Sequence, residues 1–151
     1  MKKQFLLVFG IMSLLLVFGN QANAQVNQML GMWKTIDDET GEAKSYVKIF
    51  KATDGYYYGK ITKLLISDPD TKCTACTGSN KDKPVVGLLI ITKMEADGDD
   101  LEDGKILDPG NGEIYNCTLS LDDDDKDKLI VRGSIDRWGI AGRSQTWIRL
   151  K

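Results

Sequence analysis

The chain is 151 residues long, 42% hydrophobic and 28% charged, with 20 Lys and Arg against 22 Asp and Glu, which suits one compact domain with one core. That mildly acidic balance leaves no basic stripe and argues against nucleic acid or an anionic membrane surface as partner. Histidine is absent, so the commonest general base and metal ligand is missing, and Ser/His or Cys/His nucleophilic catalysis is excluded.

The first residues have the three-part layout of a secretory signal peptide. Lys2 and Lys3 form a short positive region, and Phe5 to Phe18 is apolar except for Gly and Ser. Ala22 and Ala24 then stand at the −3 and −1 positions of a cut before Gln25. The apolar run of 14 residues falls short of the ~18 expected of a spanning helix. No cysteine lies near the cut to accept a lipid. The expected organisation is a signal peptide over 1–24 and one domain over 25–151, secreted or periplasmic, with no membrane span after processing. Loss of Lys2 and Lys3 takes the net charge from −2 to −4.

From Met32 onward the chain reads as strands and turns, with a short helical pattern only around "QVNQML". "MWKTID" leads to the turn "DETGEA". "YVKIFK" puts Val47 and Ile49 on one face, and Asp54-Gly55 is a hairpin signal before "YYYGKITKLLI". The run "SDPDTKCTACTGSNKDKP" is a loop. "VVGLLIITKM" reads as a buried strand, "ADGDDLEDG" as a charged loop, "KILD" as a short strand and "PGNG" as a turn. "EIYNCTLSL" alternates, with Tyr115, Cys117, Leu119 and Leu121 on one face. "DDDDKD" and "WGIAG" are turns that separate the strands "KLIVRGSI" and "RSQTWIRL". About eight short strands joined mostly by hairpin-length turns predict an all-β fold, an antiparallel up-and-down barrel. Such a barrel is filled by side chains or holds one small ligand.

"GMW" at Gly31–Trp33 opens the first strand and "TWIRLK" closes the last, an arrangement similar to calycin barrels such as lipocalins and avidins. The resemblance implies that Trp33 closes one barrel end with Arg149 packed across it. The ordered set "GMWKTIDDETGEAKSYVKIFK", "GYYYGKI", "CTAC", "KPVVGLLII", "DGKILDPGNGEIYNCTLSL", "LIVRGSI" and "AGRSQTWIRL" resembles the small secreted bacterial proteins catalogued as domain of unknown function 2147. Members often carry a tryptophan shortly before G-x-I-x-D-P, where this chain has Leu101. The resemblance implies fold and location and brings no activity with it.

Several residues invite a chemical reading. Cys73 and Cys76 are spaced as a redox pair, half a zinc site or a disulfide staple. Loop composition on both sides, no second C-x-x-C and an oxidising location favour the disulfide, with thiol-redox activity second. Cys117 is expected to be a buried inert thiol. The acidic runs fail the calcium-loop pattern and read as solvated turns. No carboxylate pair stands out, so the expectation is a non-enzymatic protein without cofactor or metal. On the last strand, alternation sets Arg143, Gln145, Trp147 and Arg149 on one face and Ile148 and Leu150 on the other. With the first face inward, Trp33, Tyr115, Arg132, Arg143 and Trp147 would surround a small anionic or amphipathic ligand. With it outward, Ile148 and Leu150 would form the core; the competing function is an envelope-associated interaction module with a filled barrel whose outer face binds a partner.

Overall fold

The structure, a computed structural model, describes residues 21–151. The expected signal segment lies almost wholly outside those residues, and its cut after Ala24 falls within a helix, α1, over Gln21–Met29. Among the described residues no helix is long and apolar enough to cross a membrane. Eight antiparallel strands follow: β1 (Gly31–Ile36), β2 (Ala43–Lys51), β3 (Tyr57–Leu64), β4 (Leu89–Asp97), β5 (Asp100–Leu107), β6 (Ile114–Leu121), β7 (Lys128–Ser134) and β8 (Gly142–Arg149). Each pairs with the next, and β8 pairs with β1, so the sheet closes into an up-and-down barrel as expected. Closure matters because an open sheet would leave two unpaired edges.

Period-2 alternation decides what points inward. Val47 and Ile49 on β2, Leu119 and Leu121 on β6, and Leu129 and Val131 on β7 are all buried. Two segments depart from the sequence expectation. Val85–Leu88 belongs to the long β3–β4 connection, because Gly87 sits at φ +94° and turns the chain before β4 can start. The charged stretch "ADGDDLEDG" is no loop. It is the turn end of the β4–β5 hairpin, the end of β4 and the first half of β5, turning at Gly98 and Asp99, with Gly98 at φ +57°. Its acids line the outside, and fully buried Leu101, opposite Leu119, is the inward apolar residue that pattern reading overlooked.

Acids at the hairpin tips build the turns. Asp37 Oδ1 accepts the amides of Glu39 and Thr40, Asp108 that of Gly110, and Asp122 those of Asp124 and Asp125. Each carboxylate thereby replaces a backbone acceptor that a tight turn cannot supply.

One barrel end is shut. Trp33 is fully buried, and its indole Nε1 donates to Met29 O at 2.8 Å. Met29 and Val26 of α1 are buried beside it. The Arg149 guanidinium lies 4.3 Å from the Trp33 ring centroid. It also donates to Gln28 O (2.6 Å), Lys126 O (3.2 Å) and Asp127 Oδ1 (3.1 Å). One side chain thus ties α1, the β6–β7 turn and the Trp33 ring together.

Two outcomes are expected. Arg149→Met keeps much of the bulk but loses the ring contact and the donors, so it should cost roughly 2–4 kcal/mol in denaturant unfolding; an unchanged midpoint would remove Arg149 from this role. Cys117 is buried, and burial pushes its thiol up to about 12. A thiol reagent at mildly alkaline pH should therefore find no reactive thiol in the folded protein. It should find one per chain after unfolding without reductant.

Candidate functional site

The opposite barrel end is open. It is framed by the β1–β2, β3–β4, β5–β6 and β7–β8 connections, and a cavity of about 760 Å³ runs inward from it. Ile61, Val85, Ile90, Val131 and Trp147 form its apolar depth. Above them lies a polar band. Thr35 and Ser45 are cross-strand partners, both buried, with hydroxyls 2.9 Å apart. Gln145 and Tyr115 continue the band, and Asn111 Nδ2 donates to the Tyr115 hydroxyl at 3.1 Å.

The charged residues of the lining are Lys44, Lys72, Arg143 and Asp108. Lys44 pairs with Asp37 at 3.1 Å. The Thr40 amide, then Lys44, hold the Asp37 carboxyl down at about 2. This rim pair therefore stays ionised from neutral pH down to about 2; its contribution is full above the ordinary value of 3.8 and is lost as pH falls from there through the folded value. Arg143 lies 3.8 Å from Asp38, and Lys72 has no ion pair among the described residues.

The mouth has a seam. Ladder pairs between β1 and β8 occur only near the closed end, at Trp33↔Arg149 and Lys34↔Ile148. Towards the mouth the two sides are bridged by side chains instead. Gln145 Nε2 donates to Asp38 Oδ2 at 2.8 Å and Arg143 lies 3.8 Å from the same carboxylate, while Trp147 Nε1 donates to Oε1 of Gln145 on its own strand at 3.4 Å.

Cys73 and Cys76 are joined as a disulfide, with Cα atoms 5.3 Å apart, in the β3–β4 connection. Both residues are buried, so no sulfur is open to the in-line attack that thiol exchange needs. The neighbouring backbone is clasped as a small hairpin: Cys73 N donates to Lys83 O, Asp82 N to Cys73 O and Val85 N to Thr71 O. Thr71, Lys72 and Val85 of that clasp face the cavity. The loop also rests on the β5–β6 turn, where Gly112 sits at φ +77° and a side chain would collide with the Ala75 carbonyl.

Of the five residues suggested for ligand contact, Tyr115, Arg143 and Trp147 line this cavity. Trp33 lies at the shut end. Arg132 is on the outer wall, where its Nε donates to Gly139 O at 3.0 Å and its Nη1 to Ser144 Oγ at 3.4 Å. The alternation that turns Leu129 and Val131 inward sends Arg132 outward, a signal present in "KLIVRGS" itself. Lys44, Lys72 and the Thr35–Ser45 pair were not anticipated. Ser45 precedes the run that read as a strand, and Lys72 reaches the cavity only through the fold of its loop.

A search of solved structures matches a protein of the human pathogen Helicobacter pylori, HP1028, described as belonging to the lipocalin family. The TM-score is 0.69 at 18% identity, over 81% of this chain and 82% of that one. At that identity the likeness is one of fold. The search of curated proteins finds no match. Residues 31–149, from the first residue of β1 to the last of β8, match the model of the family described as "Uncharacterized protein conserved in bacteria (DUF2147)", and the chain belongs to that family.

Proposed function

We propose that the barrel captures a small amphipathic or anionic molecule in its open mouth. The observation that carries this reading is the unfilled cavity of about 760 Å³, within the ~300–1,000 Å³ of small-molecule sites. Its layering matches such a ligand. An apolar portion would lie against Ile90, Val131 and Trp147, and an acidic group would meet Arg143 and Lys72 at the rim. The likeness to a lipocalin-family protein supports a binding role and does not name a ligand.

The competing interaction module requires a filled barrel, which the open volume disfavours. A thiol-redox role is disfavoured by the burial of Cys73 and Cys76. We read the protein as non-enzymatic. Asp108 is the single carboxylate among the cavity-lining residues, whereas hydrolysis by paired carboxylates needs two that converge. The raised carboxyls of Asp100 and Glu102 lie outside the cavity lining; burial and neighbouring acids push them up.

Titration with an anionic amphiphilic fluorophore tests the reading. Gly133 lines the cavity, and a Cβ there would meet only Ile106 and Tyr115, at 3.6 and 3.7 Å. Gly133→Phe should therefore extend into the cavity and abolish binding while the protein stays folded. Arg143→Gln should weaken binding by about tenfold, the equivalent of one charge-assisted hydrogen bond. Binding unaffected by Gly133→Phe would place the ligand elsewhere.

We also place the processed chain, Gln25–Lys151, outside the inner membrane. The basic start, the apolar run, the small residues before the cut and the disulfide support this. N-terminal sequencing of exported protein should begin at Gln25; a retained Met1 in that fraction would refute processing.

A further inference from the structure

The β7–β8 loop, "IDRWGIA", displays large exposed apolar side chains, of which Trp138 and Ile140 take no part in the cavity lining. Ile135 is 79% exposed, Trp138 83% and Ile140 82%. Exposure that high at neighbouring positions means a convex tip. A rigid protein partner needs about 1,000 Å² or more of complementary surface, which a small convex tip is poorly shaped to give. A fluid bilayer interface accepts such a tip readily.

The loop is held in shape. Asp136 Oδ1 accepts the Ile140 amide at 2.9 Å, its other oxygen accepts the Ala141 amide, and Arg132 Nε donates to Gly139 O. Charge is unevenly spread as well. Three of the chain's four arginines, Arg132, Arg137 and Arg143, fall within this hairpin. The loop's own acid, Asp136, is turned to backbone amides. Arg137 has no ion pair among the described residues. An exposed tryptophan flanked by isoleucines and arginine suits the water–lipid boundary, where indole sits at headgroup level and guanidinium pairs with phosphate.

We infer that the β7–β8 loop docks the barrel on an anionic lipid surface, with Trp138 and Ile140 entering the interface and Arg137 pairing with headgroup phosphates. The chain's overall acidity argues against such a surface, but the arrangement of the arginines answers locally. The contact is weak and salt-sensitive, since Glu102 and Asp103 line the groove that Arg137 and Trp138 share with the outer wall. Ile135 and Arg143 belong to the cavity lining too, so docking would bring the mouth close to the lipid.

Tryptophan emission tests this directly. Trp33 and Trp147 are buried, leaving Trp138 as the exposed one of three. The processed protein is titrated with vesicles of phosphatidylcholine containing phosphatidylglycerol, and with phosphatidylcholine alone. A blue shift and co-sedimentation are expected with the anionic vesicles. Arg137→Gln should weaken binding about fivefold, and Trp138→Ser with Ile140→Ser by more than tenfold, with unfolding midpoints unchanged in both. The inference is overturned by absence of shift and co-sedimentation, by equal binding to phosphatidylcholine alone, or by the double variant binding as well as the parent. It is likewise overturned if the tip only self-associates, seen as concentration-dependent sedimentation that Trp138→Ser removes. None of these readouts depends on whether the cavity holds a ligand.

Discussion

Everything in this barrel hangs on how β1 meets β8. Two ladder pairs join them, and one, Trp33↔Arg149, is also where the barrel end is plugged. Six of the eight strand junctions are ordinary hairpin neighbours, whose loop-closure cost is small, and the β3–β4 junction adds one long connection. The eighth joins the two ends of the sheet and has few backbone hydrogen bonds to repay that cost. The Arg149 side chain makes up the difference by binding an aromatic face, two backbone carbonyls and a carboxylate at once. Closure and plugging are therefore one event, with α1 drawn in by Gln28 O and Met29 O.

The same junction explains the mouth. With pairing spent near the shut end, β1 and β8 are bridged above it by Gln145 and Asp38 rather than by a backbone ladder. Side-chain bridges are cheaper to break than ladders and easier to tune. On that side the cavity wall is joined by the Gln145–Asp38 hydrogen bond and the Arg143–Asp38 pair rather than by a ladder. Trp147 sits at that wall, which couples its indole to anything that disturbs the bridge.

Strand number, barrel closure and the inward set on β6 were all legible, because period-2 alternation is strong where one face is buried. The first half of β5 was hidden, because Asp100, Glu102 and Asp103 surround a single inward Leu101, too little to register as a pattern, while its last residues read as the short strand "KILD". Val85–Leu88 misled in the opposite direction, being apolar enough for a strand but interrupted by a glycine at positive φ. The inward face of β8 stayed open because Ile148 and Leu150 compete with Trp147 for the core. Yet the answer was implicit. If Arg149 packs on Trp33 it must point inward, and alternation then carries Trp147, Gln145 and Arg143 inward with it. The same reasoning applied to Leu129 and Val131 would have moved Arg132 outside. Lys72 had no such signal, since a loop residue reaches a cavity by tertiary placement and not by period.

The C-x-x-C loop shows how covalent and steric constraints divide the work. A ring closed over so few residues removes little chain entropy, so global stability is a poor explanation for the disulfide. Its effect is local. The bond holds the tip of the Thr71–Val85 clasp, whose residues form one side of the mouth. On the other side of the loop, the Ala75 carbonyl occupies the space that a side chain on Gly112 would need. The β5–β6 turn, which brings Asp108 and Asn111 to the cavity, is thus shaped to receive the pinned loop. Shape at the rim is a joint property of two connections distant in sequence. A change at Gly112 would disturb the cavity wall as surely as a change at either cysteine, although neither the glycine nor the disulfide is itself part of the lining.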